Sequence, residues 1–150
     1  ETAAPMHDIG KIGIPDRVLL KPGRHTSEER AIMRRHPLVG HEILTESPSR
    51  YLKMGAVIAL GHHERFDGSG YPQGLAGADI PLPARIVAVA DVFDALTSNR
   101  PYKRAWTFQD ALHYIQSESG RHFDPACVRA FEQRLDAVAT IMRELSDTQA

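Results

Sequence analysis

An all-α domain is predicted by three features of the 150-residue chain: no segment sustains period-two alternation, apolar residues recur at helical spacing in several stretches, and capping signals punctuate them. The size and the 42% hydrophobic content fit one globular core that buries roughly two-thirds of its unfolded surface. A formal charge of -1 offers no general attraction to DNA, RNA or an anionic membrane, so phosphate recognition has to come from local basic residues. Cys127 is the only cysteine, which excludes an internal disulfide and a multi-cysteine zinc site and points to the cytoplasm. No apolar stretch approaches the ~20 residues that span a bilayer, and no signal peptide is evident at the start.

The first residues, Ala3 to Asp8, read as part of a helix already under way. Gly10, Gly13, Pro15, Pro22 and Gly23 break any regular period, so a loop is expected from Gly10 to Gly23, with at most a turn near Arg17 to Leu20. Thr26-Ser27-Glu28-Glu29 is a capping box that opens a helix. Pro37 should end or kink that helix near His36, after which it continues to about Thr45. Leu52, Ala56, Ala59 and Leu60 mark the next helix, which leads straight into His62-His63.

Residues 64–83 hold four glycines and three prolines, too irregular for paired strands and long for a plain connection. Pro83 suits the first turn of a helix carrying Ile86, Val87, Val89, Ala90, Phe93 and Leu96, expected to be central and buried. Thr107 can cap a helix that Gly120 ends. Asp124-Pro125 then starts one last helix with Val128, Phe131, Leu135, Val138 and Ile141 as its stripe. Residues 146–150 are expected to be a flexible tail after a domain of residues 1–145.

Histidine is the compositional anomaly: of eight, six fall within the first 63 residues (His7, His25, His36, His41, His62 and His63). His7-Asp8 sets an imidazole beside a carboxylate where a helix gives way to loop. Neighbours on a helix point about 100° apart, so the pair can serve different ions, or Asp8 can bridge two through its two oxygens. Taken singly, His7-Asp8 is an ordinary helix-end pair, His36 a solvent-facing residue of a basic turn, and His62-His63 a hydrated pair. Adjacent imidazoles nonetheless have four ring nitrogens to satisfy. Asp91 lies in an apolar run, where an unpaired buried carboxylate costs several kcal/mol; an ion pair with Arg85 or Lys11 would also relieve it. Asp94, three residues on, could orient a ligand or hold a basic group.

Together His7, Asp8, His36, His62, His63 and Asp91 offer four imidazoles and two carboxylates from four segments. That mixed N/O set suits iron, manganese or a similar first-row ion. Two such ions ~3.5–4 Å apart can activate water and neutralise charge on a phosphodiester, which is hydrolysis without a protein nucleophile.

The stretch His7-Asp8-Ile9-Gly10-Lys11, the run from His62 through Gly70-Tyr71-Pro72, the segment Asp91 to Lys103 and His122-Phe123-Asp124-Pro125 together resemble the HD-GYP family over nearly the whole chain. The resemblance implies an HD-domain-like helical bundle with a long GYP-containing loop and a bi- or trinuclear iron or manganese centre. It implies hydrolysis of cyclic di-GMP to linear pGpG or to GMP in bacterial second-messenger signalling. By the same resemblance His7, Asp8, His36, His62, His63 and Asp91 are metal ligands, with Asp8 also catalytic. Lys11 meets a substrate phosphate or assists the leaving oxygen, and Arg100 and Lys103 hold phosphates. A guanidinium that forks onto phosphate oxygens and a compact ammonium charge are chemically fitted to those roles, although a solvated surface pair reads equally well from the residues alone. Tyr71 belongs to the substrate-binding wall. The Gly70-Tyr71-Pro72 loop shapes the pocket and offers a docking surface for a protein partner.

Family members carry a further histidine, and some a glutamate, upstream of the His-Asp pair. Only six residues precede His7 here and none is histidine. The expectation is one complete metal site, formed by Asp8, His36, His62 and His63. A second site, from His7, Asp8 and Asp91, is left short of a ligand. The chain is accordingly expected to be part of a longer protein, with apolar surface that favours self-association. The alternative expectation is a catalytically incomplete piece acting as a metal- or nucleotide-binding and protein-interaction module.

Overall fold

The computed structural model describes residues 3–99 and 104–148, with side chains described to residue 144. Among these residues every regular element is helical, and the only strand-like pairings are two isolated β-bridges, Asp67 with Ala76 and Ser119 with Phe123. A 3-10 segment, Ala4–Gly13, leads to α1 (Asp16–Leu19), α2 (Ser27–Met33), α3 (His36–Thr45) and α4 (Arg50–Gly61). A long loop with one 3-10 turn, Gly77–Asp79, follows. The chain then forms α5 (Leu82–Thr97), α6 (Phe108–Ser117), α7 (Pro125–Glu132) and α8 (Leu135–Thr148). No helix of the described residues is long and apolar enough to cross a membrane.

Most start signals act as expected. The Thr26 hydroxyl accepts from Glu29 N–H while the Glu29 carboxylate accepts from Thr26 N–H, closing the capping box on α2. Thr107 caps α6, and Asp124 caps α7 through Ala126 N–H at 2.7 Å. Three expectations need correction. The stretch taken for loop stays helical to Gly13, because 3-10 turns tolerate Gly10 and Gly13 where an α-helix would be weakened. The last stripe is split into α7 and α8 at Gln133-Arg134 by a turn in which Arg134 N–H reaches Phe131 carbonyl. Neither Gly nor Pro marks that turn. Finally, α5 is central but only partly buried: Val87, Val89, Phe93 and Leu96 are covered, whereas Leu82 and Ile86 are about half exposed. The small side chains of Ala126 and Ala130 on α7 leave a groove along that edge.

Two clusters of apolar side chains meet at α5. Phe93 and Leu96 pack with Leu112 and Ile115 of α6, with Phe123, and with Val128 of α7. Towards the other end Val87 packs with Ala3 and Ile58, next to the cluster of Leu44, Ala56 and Ala59 that joins α3 to α4. Arg85 of α5 donates to Asp124, tying α5 to the start of α7. That pairing uses up the arginine considered as a partner for Asp91.

The 3-10 segment crosses α3 at Gly10, where a Cβ would lie 1.8 Å from the His36 carbonyl oxygen and 2.4 Å from Gly40 nitrogen. Only glycine permits that approach. Beside the loop that follows α4, His122 stacks on Phe123, and its Nδ1 is buried without a hydrogen-bond partner. Burial, helped by the nearby Arg65 charge, pushes its pKa down to about 4 from 6.5.

Two outcomes follow from these contacts. Gly10→Ala should lower stability by about 1–3 kcal/mol, read as the urea midpoint, because backbone rather than a movable side chain stands in the way. His122 should also make the chain less stable in mild acid. Between about pH 6.5 and 4 the unfolded imidazole takes up a proton that the folded one refuses. The wild type should therefore lose about 1–2 kcal/mol more than His122→Gln between pH 7 and pH 5. Parallel curves for the two proteins in that window would show that the buried ring protonates freely.

Candidate metal centre

The close crossing at Gly10 lays the His7-Asp8 pair against the start of α3 and the end of α4. Asp8 Oδ1 comes to 3.3 Å from His36 Nε2 and 3.7 Å from His62 Nε2. His63 Nε2 is 3.1 Å from His36 Nε2, and His36 and His62 Nε2 are 3.5 Å apart. One ligand atom from each of Asp8, His36, His62 and His63 falls within a 4.8 Å group. The second oxygen of Asp8 faces away from that group, 3.5 Å from His7 Nε2 and 2.6 Å from Lys11 Nζ. His7 Nε2 in turn lies 3.3 Å from Asp91 Oδ1. All six predicted ligands are thus brought together in two overlapping groups that share Asp8.

The orientation of the rings is what makes the arrangement chemically specific. His7, His36 and His62 each place Nδ1 at 2.8 to 2.9 Å from the backbone carbonyl three residues earlier: Ala4, Met33 and Ala59. A carbonyl can only accept, so Nδ1 carries the hydrogen and Nε2 of the neutral ring is left with its lone pair. Bare lone pairs on His36 and His62, with His63 Nε2 beside them, converge in a pocket where the His62 side chain is fully buried and His36 is 3% exposed. Nitrogen lone pairs repel one another unless a proton or a cation lies between them. The donor set fits a borderline or hard first-row ion, and carbonyl-held Nδ1 atoms are the support that ligating histidines use. The cluster can bind metal.

Electrostatics sharpen the same picture. Burial, with the neighbouring imidazoles, lowers His62 to about 4 and His63 to about 3, so both are neutral near pH 7 and free to act as ligands. Burial opposes ionisation of Asp8, but its contacts with His36 and Lys11 outweigh it and hold the carboxyl below its ordinary range. His7 is raised by its hydrogen bond to Asp91, against the effect of burial. Burial likewise works against Asp91, and the His7 contact overcomes it. Of the other early histidines, His25 lies 2.8 Å from the Val18 carbonyl and His41 3.2 Å from the Ala56 carbonyl, both away from the centre. Asp94 is exposed and takes a hydrogen bond from Ser98.

The loop after His63 forms one wall of the centre. Gly70 turns so close to the end of α4 that a Cβ would sit 2.3 Å from Arg65 nitrogen. Tyr71 N–H donates to the His63 carbonyl at 3.2 Å, and the Tyr71 ring stacks on His63 with centroids 4.8 Å apart. The Arg34 guanidinium lies over the same ring, 4.8 Å from its centroid. Glu64, 2% exposed, accepts from Gln73 N–H at 2.7 Å and Leu75 N–H at 3.0 Å. Sequence reasoning did not single out Glu64 or Arg34; a carboxylate directly after the His62-His63 pair was the available clue for the first. Arg100 and Lys103 lie outside the described residues, as does Tyr102.

Residues 1–127 match the HD domain family. The cyclic di-GMP phosphodiesterase response regulator RpfG of Xanthomonas campestris is 63% identical over 130 residues, which cover 87% of this chain and 34% of that protein. A cyclic di-GMP phosphodiesterase of Thermotoga maritima is 52% identical over 145 residues, 97% of this chain and 39% of the relative. The 3'3'-cGAMP-specific phosphodiesterase 2 of Vibrio cholerae is 44% identical over 147 residues, 98% and 28% of the two chains. A solved structure of a cyclic GMP-AMP phosphodiesterase of V. cholerae superposes with a TM-score of 0.62 at 22% identity, covering 87% of this chain and 36% of that one; it shares the fold. The chain spans about a third of the length of these relatives. It belongs to the HD domain family, and its His7-Asp8 pair and Gly70-Tyr71-Pro72 loop assign it to the HD-GYP branch.

Proposed function

We propose that this chain carries the catalytic centre of a metal-dependent phosphodiesterase that hydrolyses cyclic di-GMP to linear pGpG or to GMP. The observation that carries the reading is the convergence of bare imidazole Nε2 atoms on one oxygen of Asp8, each ring fixed from behind by a carbonyl. The names of the relatives supply the substrate class. Iron or manganese suits the mixed nitrogen and oxygen donors. Asp8, His36, His62 and His63 would hold one ion, and His7, Asp91 and the other oxygen of Asp8 would hold a second with fewer protein ligands.

Bound there, the ions supply Lewis-acid stabilisation of charge that develops on the phosphodiester. The protein groups do the rest. Asp8, ionised and shared between both groups, fixes the spacing of the two halves of the centre. Lys11 Nζ, 2.6 Å from Asp8, is placed to turn from that carboxylate to a phosphate oxygen or to give its proton to the leaving oxygen. Arg100 and Lys103 add cationic phosphate contacts, and Tyr71 presents the wall beside His63 to substrate. A cyclic GMP–AMP substrate is the second reading, favoured by the relative that is 44% identical.

Metal analysis tests the centre directly. Protein reloaded with Mn(II) after chelation should bind tightly at the four-residue group, and His36→Ala should abolish that uptake. Asp91→Asn should leave it and weaken only the second ion, by roughly 10- to 100-fold in affinity. Loss of all binding in Asp91→Asn would mean that the centre is one indivisible site. Turnover of cyclic di-GMP, followed by separation of pGpG and GMP, tests the activity. Lys11→Ala should lower kcat by roughly 100-fold or more through loss of general-acid help. An unchanged kcat would remove Lys11 from the chemistry.

A further inference from the structure

Arg34 is the C-terminal cap residue of α2, two positions before His36. Its side chain is exposed, yet its guanidinium rests over Tyr71. Tyr71 stacks on His63, and His63 Nε2 reaches His36 Nε2 at 3.1 Å. A column therefore runs from a guanidinium through an aromatic ring to an imidazole of the candidate centre. Three arginines of this chain are paired with carboxylates, Arg65 and Arg121 with Glu118 and Arg85 with Asp124. Among the described residues Arg34 meets no carboxylate, and its guanidinium N–H groups donate to no protein acceptor. Lys11, the other cation at the centre, is taken up by Asp8.

A guanidinium laid on a ring keeps its in-plane donors available, and the ring holds it still. Such a group is built to take an anion. The reacting phosphate belongs at the donor atoms and beside Lys11, whereas Arg34 stands one aromatic layer away, on Tyr71 rather than on His63. An anion on Arg34 is thus a different group of the same ligand. We propose that Arg34 binds the second, non-reacting phosphodiester of a cyclic dinucleotide, so that the site favours ligands with two phosphates over those with one. The proposal rests on the phosphodiesterase reading above and names one of its specificity-determining residues. A guanidinium forks onto two non-bridging oxygens, which a lysine ammonium at this position would not reproduce.

The test compares wild type, Arg34→Ala and Arg34→Lys, all loaded with Mn(II), on two substrates: cyclic di-GMP and bis(p-nitrophenyl) phosphate, which has a single phosphodiester. Calorimetry supplies the Kd for cyclic di-GMP independently of turnover. Arg34→Ala should raise both Kd and KM for cyclic di-GMP by roughly ten- to hundredfold, with a smaller change in kcat. The loss in kcat/KM should exceed that on the small diester by about tenfold, and Arg34→Lys should recover only part of it. Equal losses on both substrates would show that Arg34 acts only by steadying Tyr71 and His63, and would overturn the proposal, as would an unchanged Kd. A wild type that cleaves the small diester but neither binds nor cleaves cyclic di-GMP would sink the second-phosphate proposal and leave the phosphodiesterase reading standing. Binding of cyclic di-GMP that depends on Arg34, without cleavage of either substrate, would uphold the proposal and overturn the catalytic reading.

Discussion

The approach of Gly10 to the first turn of α3 is the contact on which the candidate centre depends. Asp8 is two residues before that crossing and His36 supplies the carbonyl oxygen against which Gly10 packs. Backbone against backbone leaves no slack, so the crossing sets where the 3-10 segment lies relative to α3. The carboxylate is then delivered to His36 without a long flexible side chain having to reach for it. The histidines come from elements fixed by their own packing. His36 starts α3 behind a carbonyl bond to Met33, and His62 caps α4 behind one to Ala59. The ligand atoms are therefore positioned by helix ends and a glycine contact, with little side-chain entropy left to lose on metal binding.

That geometry costs the metal-free chain something. Burial removes His62 and His63 from water, and the Nε2 lone pair of His62 faces that of His36 rather than a donor. The carbonyl bonds to Nδ1 satisfy half of the His36 and His62 rings, and Lys11 neutralises Asp8. What is left unsatisfied is concentrated at the point where a cation would restore it. A fold optimised for stability alone would have turned Nε2 towards a hydroxyl or a backbone N–H. The unfavourable contacts are in this sense the evidence of function that no single residue supplies.

Much of the helical frame was legible because its signals are local. A capping box at Thr26, caps at Thr107 and Asp124, and prolines in first turns act within one turn of chain, and each is found where it was expected. The residues that converge at the candidate centre were legible as a set because four imidazoles and two carboxylates in one small domain are hard to account for otherwise. Long-range contacts were not. The partner of Asp91 is His7, set by the crossing of the 3-10 segment, and Arg85 turns to Asp124 because α7 begins beside α5. The half exposure of Ile86 reflects what α7 fails to cover, which the apolar period of α5 alone does not reveal. Tyr71 was expected on the wall of the site only through the resemblance; its place against His63 depends on a loop closing over seven residues.

That closure explains why the loop is long. Ordering a segment of this length is entropically costly, and the loop offsets it with directed bonds rather than apolar burial. Glu64 anchors its far limb through two backbone N–H groups, and Gly70 presses its near limb onto the end of α4. Its base is bound to the other lobe, with Phe66 N–H on the His122 carbonyl, Asp67 N–H on that of Arg121, and Arg65 on Glu118. A shorter connection between α4 and α5 could join the same helices but could not touch both lobes. By spanning them, the loop makes the position of Tyr71, and through it of His63 and Arg34, depend on α6 and α7 as well as on the helices that carry the ligands. The wall of the centre is thereby held by the whole domain, and a shift between the two lobes would be felt first at the ring that lies on His63.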